Sequence, residues 1–406
     1  MISLTTEKQM SADEYNSFLD DLAEGTKFKR VSEARMMHDR PKVRTPLWHM
    51  NAILGGGFPL GAMVELYGEP SSGKSSFSYQ VIGEFQKQYP QGLAVVVDVE
   101  SSVDSTRMEY LGCNPENVLR LPADTMQSGF EQVHSMLKKK VKKKQTKNLP
   151  VLVVYDTISI SPTDAQYDKS DIHAGGMMEQ AKLIKGNLSN LLPLIEEQPI
   201  LFLLLNQITT KKTRYGSSIT SGGGYGLKHD IHMKLKFLQN DTEFLGEFAI
   251  KAKNAIEIDK SKLCPLSKEM NFVMDIRKGG VIDELESAIE YCIAEDRNII
   301  SKTSNGWYSF LENPSFLDMS YEDLFGKEVV DKYIFFKNKR FDPFLEALQE
   351  DIEVYSIILT CLMMERFSSV YEYQKEVISS YKEVLLEQLH EIIDTKSGES
   401  EEDETE

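Results

Sequence analysis

Gly68-Glu69-Pro70-Ser71-Ser72-Gly73-Lys74-Ser75 lies between an apolar, strand-like run, Ala62–Tyr67, and a helix-like stretch, Lys74–Gln88. The spacing is G-x-x-x-x-G-K-[ST], in the strand–loop–helix setting that a phosphate-binding loop requires. Glycines let successive backbone N–H groups turn inward around a phosphate, and the helix N-terminus adds partial positive charge. Lys74 is placed to reach β- and γ-phosphate oxygens and the Ser75 hydroxyl to ligate Mg2+, with Ser76 closing the turn. ATP with Mg2+ is the ligand this reading expects.

Working outward, Leu93–Asp98, Val151–Tyr155 and Ile200–Leu205 are short, continuous apolar runs. Helical patterns over Ser128–Lys144 and Met178–Glu196 separate them. That alternation predicts an α/β fold, a mostly parallel sheet with helices on both faces. Ile231–Leu238, Phe244–Ala252 and Asn271–Ile276 alternate apolar and polar residues, so antiparallel strands are expected at the sheet edge. Asp283–Ala294, Asp342–Leu348 and Val354–His390 carry helical spacing. Ser11-Ala12-Asp13-Glu14 reads as a capping box ahead of an amphipathic helix bearing Tyr15, Phe18, Leu19 and Leu22. The resulting division is an N-terminal helix and arm (1–44), a core (45–285), a smaller, mostly helical C-terminal domain (286–390) and an acidic, disordered tail (391–406).

Two strand ends carry carboxylates. Asp156 closes the run Val151–Tyr155, at the carboxyl edge where α/β ligand sites lie, and is placed to hold Mg2+ through water. Asp98-Val99-Glu100 puts two acids on one face of another strand end, and either can serve as the general base that polarises the attacking water.

The 406 residues are 41% hydrophobic and 27% charged, which excludes wholesale disorder. No apolar run approaches a membrane span, and Met1–Glu7 lacks the pattern of a secretory leader. Four scattered cysteines without a CxxC pair argue against a zinc or disulfide scaffold and fit a reducing cytoplasm. A net charge of −17 has the wrong sign for a surface coated in basic DNA-binding residues. The charge is uneven, however: residues 391–406 hold eight acids against Lys396 alone. From Gln198 to His229 there is no acid, while Lys211, Lys212, Arg214 and Lys228 are basic. The stretch Ile208–Gly226 also holds Tyr215, Ile219, Tyr225 and the glycines Gly222, Gly223 and Gly224, so a mobile loop for single-stranded DNA is expected there. Lys138–Lys144 is the densest basic run and reads as a solvated helix end.

The set and order of these motifs, with Leu205-Asn206-Gln207, the lead-in Gly55–Gly61 and the later Gly306-Trp307-Tyr308-Ser309, resemble the RecA-type homologous recombinases over roughly residues 45–310. Length and divergence resemble most the phage UvsX-like branch. The resemblance implies a RecA-like P-loop ATPase core and a DNA-dependent ATPase that builds a helical filament on single-stranded DNA for recombination and repair. It implies Glu100 as the catalytic carboxylate, Gln207 as the γ-phosphate sensor coupled to DNA, and Asp104 and Arg107 on the adenine side. Lys251 and Lys253, two apart on a strand, would then reach the neighbouring subunit's nucleotide. His173, Gly175, Gly176 and Met177 would lie in a first DNA loop, and Ile208–Gly226 would be the second. The implied partners are single- and double-stranded DNA, further copies of the chain packed head-to-tail, a single-strand-binding protein and a loader, in a bacterial or phage-infected cytoplasm. Two other readings remain open, a ring helicase on the same fold and a non-hydrolysing ATP-binding regulator.

Overall fold

Along the central strands the side chains divide by parity. Val64, Leu66, Val96, Leu152, Val154, Leu203 and Leu205 pack into one apolar cluster, and Met63, Val95, Val97, Val153, Tyr155, Phe202 and Leu204 into a second. Period-two alternation with both parities apolar is what a sheet covered on both faces requires. The structure is a computed structural model describing residues 11–24, 37–159, 161–167, 177–213, 216–221, 230–267, 269–293, 299–312, 314–334, 339–371 and 375–403.

Helix α1 (Ala12–Ala23) opens on the expected capping box, the Glu14 N–H donating to Ser11 Oγ and the Ser11 N–H to the Glu14 carboxylate. Strand β1 (Lys42–Val43), α2 (Trp48–Leu54) and β2 (Phe58–Pro59) lead into β3 (Met63–Gly68), and α3 (Lys74–Gln88) follows the loop. Then come β4 (Leu93–Asp98), α4 (Ser105–Tyr110), β5 (Val118–Pro122), α5 (Met126–Lys142), β6 (Val151–Asp156), α6 (Asp164–Tyr167), α7 (Met177–Glu197) and β7 (Ile200–Thr213). Strands β8 (Gly216–Ser221), β9 (Met233–Leu245), β10 (Phe248–Ser261), β11 (Met270–Asp275) and β12 (Val281–Asp283) precede α8 (Glu284–Cys292).

The main sheet runs β12-β11-β10-β9-β3-β7-β6-β4-β5, with β8 paired to β7. Strands β3 to β7 are parallel. The expected antiparallel annex exists with one difference: β9 lies parallel to β3 and only then pairs antiparallel with β10. The edge strand β5 escaped the sequence reading, because its residues are exposed or half-buried and carry no clean alternation. Helices α5 and α7 cover one face, supplying Phe130, Val133, Leu188 and Ile195.

The C-terminal region adds a small sheet, β13 (Ile300–Lys302), β14 (Trp307–Phe310) and β15 (Lys339–Arg340), which helical spacing did not announce. Around it lie α9 (Tyr321–Phe325), α10 (Lys327–Tyr333), α11 (Phe341–Glu350), α12 (Ile352–Val370) and α13 (Lys375–Asp403). The expected boundary at 285 falls inside α8, and one apolar cluster joins Leu54 and Phe85 of the core to Ile358, Leu362 and Leu389 beyond it. The expected disordered tail also needs correction, since α13 continues through 391–403. Leu385, Leu389 and Ile393, at four-residue spacing, are buried, and Lys396 pairs with Asp351. No helix among the described residues is long and apolar enough to cross a membrane.

A cavity of about 560 Å³ opens between α2, α3, α12 and α13, with no residue of the phosphate loop in its lining, which includes Trp48, Glu84, Lys87, Glu284 and Tyr381. Trp48 Nε1 donates to Glu284 Oε2 at 3.0 Å. Burial, assisted by Glu84, pushes the Glu284 carboxyl up from 4.5 to about 7. Because the folded value lies above the ordinary one, the folded chain holds the extra proton. That stabilisation is complete below about pH 4.5 and is lost as pH rises through 7. Glu284→Gln keeps the acceptor for Trp48 without the charge. We expect it to stabilise the chain by about 1–2 kcal/mol at pH 8 and to change little at pH 4.5 and below, read from urea midpoints at the two pH values.

Candidate functional site

The loop 68–75 joins β3 to α3 under tight steric limits. A Cβ at Gly68 would stand 2.3 Å from the Phe237 carbonyl oxygen. Gly73 adopts a φ of 94° and a Cβ there would meet Met274 Sδ at 2.7 Å, so backbone handedness and space both demand glycine. No side chain caps the first turn of α3, whose amides stay available to an anion. Lys74 Nζ donates to the carbonyls of Gly68 (3.1 Å) and Glu69 (2.6 Å), folding over the loop. Burial lowers its pKa, opposed by Asp156, Glu100 and Glu69. Among the other loop residues, Ser72 Oγ donates to the Glu69 carbonyl at 2.8 Å, Ser71 takes a φ of 61°, and Pro70 is exposed.

Ser75 Oγ donates to Asp156 Oδ2 at 3.0 Å. A hydroxyl and a carboxylate presented side by side at the head of a phosphate-binding helix are hard oxygen donors of the kind Mg2+ takes, so these residues fit the ion. Burial raises the Asp156 pKa to about 6; the Ser75 hydrogen bond opposes this, and the charges of Glu100 and Asp98 add to it.

The two acids after β4 separate clearly. Asp98 is buried beside Asp156 in the β4–β6 register. Both its oxygens are engaged, Oδ2 with Arg120 Nε at 2.7 Å and Oδ1 with the Ser102 N–H at 3.0 Å. Glu100 is exposed, and its charge is felt by both Lys74 and Asp156. Gln207 pairs with Gly68 in the parallel β3–β7 register, which places the expected sensor beside the first residue of the loop. Its N–H donates to Asn206 Oδ1 at 2.9 Å, and Asn206 Nδ2 donates to the buried Glu65 at 2.7 Å. Lys234 Nζ lies 3.2 Å from the other Glu65 oxygen and 4.7 Å from the centre of the Tyr67 ring. The sequence reading missed Glu65, Lys234 and Arg120. A lone acid inside Val64-Glu65-Leu66 was the signal available for the first.

On the expected adenine side, Asp104 Oδ1 caps α4 by accepting from the Thr106 and Arg107 N–H groups at 2.8 and 3.2 Å. Arg107 Nη2 donates to Ser76 Oγ at 3.0 Å and Nε to the Gly279 carbonyl at 3.1 Å. These bonds bring Asp104, Arg107 and Ser76 to one side of the loop helix. Lys251 and Lys253 point instead at α8, paired with Glu286 and Glu290 of their own chain, and Lys253 also approaches Glu243 at 3.8 Å. Neither is brought to this chain's phosphate loop.

The described part of the expected second loop, 208–213 and 216–221, is paired β-structure. Strand β7 runs on past Gln207 and pairs antiparallel with β8, from Ile208 opposite Ser221 to Thr213 opposite Gly216. Lys211, Lys212 and Ile219 therefore sit on a β-hairpin; Arg214, Tyr215, Gly223, Gly224 and Lys228 lie outside the described residues. His173, Gly175 and Gly176 also lie outside them, and Met177 begins α7. The lysine run ends α5 at Lys142, but it is not solvated throughout: Lys140 is buried and tied to the Lys147 carbonyl at 2.7 Å.

Comparison with known proteins gives the same picture. The RecA N-terminal domain family matches residues 38–281. The chain is 28% identical over 284 residues to Protein RecA of Thioalkalivibrio sulfidiphilus, covering 69% of this chain and 78% of that one. It is 28% identical over 264 residues to Protein RecA of Prochlorococcus marinus, covering 64% and 65% of the two chains. It is 30% identical over 265 residues to Protein RecA of Arthrospira platensis, covering 64% and 67%. With its phosphate loop, strand-end acids and sheet order in the places described, this chain belongs to the RecA family.

Proposed function

We propose that the chain is an ATP-dependent DNA recombinase that assembles on single-stranded DNA and pairs it with homologous duplex. The observation that carries the reading is the course of β7. One strand passes beside the phosphate loop at Gln207 and continues into the hairpin that bears Lys211 and Lys212. A γ-phosphate contact at the Gln207 amide would therefore bias the hairpin without any intervening domain, and by linkage DNA on the hairpin would favour nucleotide.

In this reading Lys74 and the first-turn amides of α3 hold the phosphates, and Ser75 and Asp156 hold Mg2+. The ion's contribution is to neutralise phosphate charge. Glu100, without a side-chain hydrogen bond among the described residues where Asp98 is fully engaged, would take the proton of the attacking water. Asp104 and Arg107 flank the base.

Self-assembly is supported by α1, whose Tyr15, Phe18 and Leu22 are 53%, 44% and 51% exposed instead of packed on their own core. An exposed apolar helix face suits docking on a second copy, and a head-to-tail contact of that kind builds open filaments. Lys251 and Lys253 would exchange their glutamates for the neighbour's phosphates in that assembly. A cytoplasmic setting, placement in the phage UvsX-like branch, and exchange with a single-strand-binding protein and a loader complete the proposal.

Electron microscopy of the chain on single-stranded DNA with Mg2+ and a non-hydrolysable ATP analogue tests it. Helical filaments that vanish without nucleotide are expected. Closed rings would favour a helicase, and bare DNA would overturn the DNA-binding assignment.

A further inference from the structure

Arg120 reaches across from the edge strand β5 to Asp98, with Nε and Nη2 both 2.7 Å from Oδ2. The Asp98 side chain is wholly buried, whereas that of Arg120 is 46% exposed. On its other side Asp98 gathers the backbone of the next segment, accepting from the Ser102 N–H at 3.0 Å and the Val103 N–H at 3.4 Å. The Val99 N–H is held by the Asp156 carbonyl at 3.0 Å, and Asp104 begins α4 as its cap. Residues 99–103 thus form a short arch pinned at both ends and from beneath. Glu100 stands exposed on it, next to Ser101 at a φ of 53°. A non-glycine residue persists in that left-handed region when its surroundings hold it there.

We propose that Arg120 is a positioning residue for hydrolysis: by clamping Asp98 it holds the arch that presents Glu100 to the attacking water. This rests on the assignment of Glu100 as the base. Arg120 also offsets a buried charge that lies one strand from Asp156. A planar guanidinium supplies two donors to one oxygen, which a lysine ammonium does with poorer geometry.

The test is single-stranded-DNA-stimulated ATP hydrolysis by Arg120→Gln, Arg120→Lys and Glu100→Gln, and by the Glu100→Gln/Arg120→Gln pair. Arg120→Gln should lower kcat about 10- to 100-fold, with the KM for ATP and binding of a fluorescent ATP analogue within about two-fold of the parent. Arg120→Lys should recover part of the loss. In the Glu100→Gln background, removing Arg120 should cost little more, because the group it positions is already gone. Parental kcat in Arg120→Gln beside an inactive Glu100→Gln overturns the positioning role alone. Normal hydrolysis by Glu100→Gln overturns the base assignment instead. A loss of analogue binding and melting temperature in step with kcat assigns Arg120 to the fold and also overturns the proposal.

Discussion

Glu100→Gln is expected to lower DNA-stimulated ATP turnover by about 10²–10³-fold while nucleotide binding stays within about two-fold of the parent. The glutamine is nearly isosteric and cannot take a proton. Glu100 makes no side-chain hydrogen bond among the described residues and stands exposed in the 99–103 arch. The loss should therefore appear in kcat and leave KM and melting temperature nearly untouched, which separates chemistry from folding. Steady-state hydrolysis with and without single-stranded DNA, alongside analogue binding, measures all three. The parallel substitution Asp98→Asn should behave differently, because Asp98 is a buried structural acceptor and an amide leaves only one oxygen, uncharged, for the Arg120 guanidinium and the Ser102 N–H. Normal turnover in Glu100→Gln would place the base elsewhere.

The second large effect concerns stability. Glu65 and Lys234 are both buried, with 0% and 3% of their side chains exposed, and lie 3.2 Å apart. Glu65→Ala leaves the Lys234 ammonium without its anion and removes the acceptor for Asn206 Nδ2. Breaking one side of a buried pair costs about 3–5 kcal/mol, because the surviving charge stays desolvated. A fall of that size in unfolding free energy is expected in chemical denaturation. Replacing both partners together, Glu65→Leu with Lys234→Met, should recover most of it, since the desolvation cost vanishes along with the attraction. If the double variant is no better than the single one, the loss comes from packing or from the Asn206 contact and not from the stranded charge. Because Asn206 Oδ1 also accepts the Gln207 N–H, the single variant should loosen the strand end beside Gly68 as well.

Local chemistry made the nucleotide half of the molecule legible. Gly68, Gly73, Lys74 and Ser75 could be read directly because a backbone cradle for phosphate needs glycine handedness at one position and a cation and hydroxyl at fixed offsets. The apolar runs ending at Asp98, Asp156 and Gln207 were equally plain, because a strand buried on both faces has no room for polar residues until it emerges at the carboxyl edge. The capping box at Ser11 and Glu14 was local too, and formed as expected.

What required the assembled fold was every decision made between distant segments. Period-two spacing gave Asp98 and Glu100 the same face and equal standing; Arg120, brought alongside from an edge strand of weak pattern, pairs with Asp98, while Glu100 stays exposed. The composition of the 208–226 stretch did not announce the pairing of β7 with β8 over 208–221, because the register of Ile208 with Ser221 is tertiary and glycine content does not encode it. The acid-rich end 391–403 read as disordered by charge alone, yet the Leu385, Leu389 and Ile393 face docks the same helix on the core and carries it on to Asp403. Helical spacing in 286–390 did not say what those helices pack on; α12 packs on α2, more than 290 positions earlier in the chain. Sequence by itself determined which residues could bind phosphate and which runs had to be buried, since those demands are met within a few neighbouring positions. Tertiary structure alone decided which carboxylate is neutralised, which lysines are paired and where one core ends, because each depends on partners that only folding brings within a few ångströms.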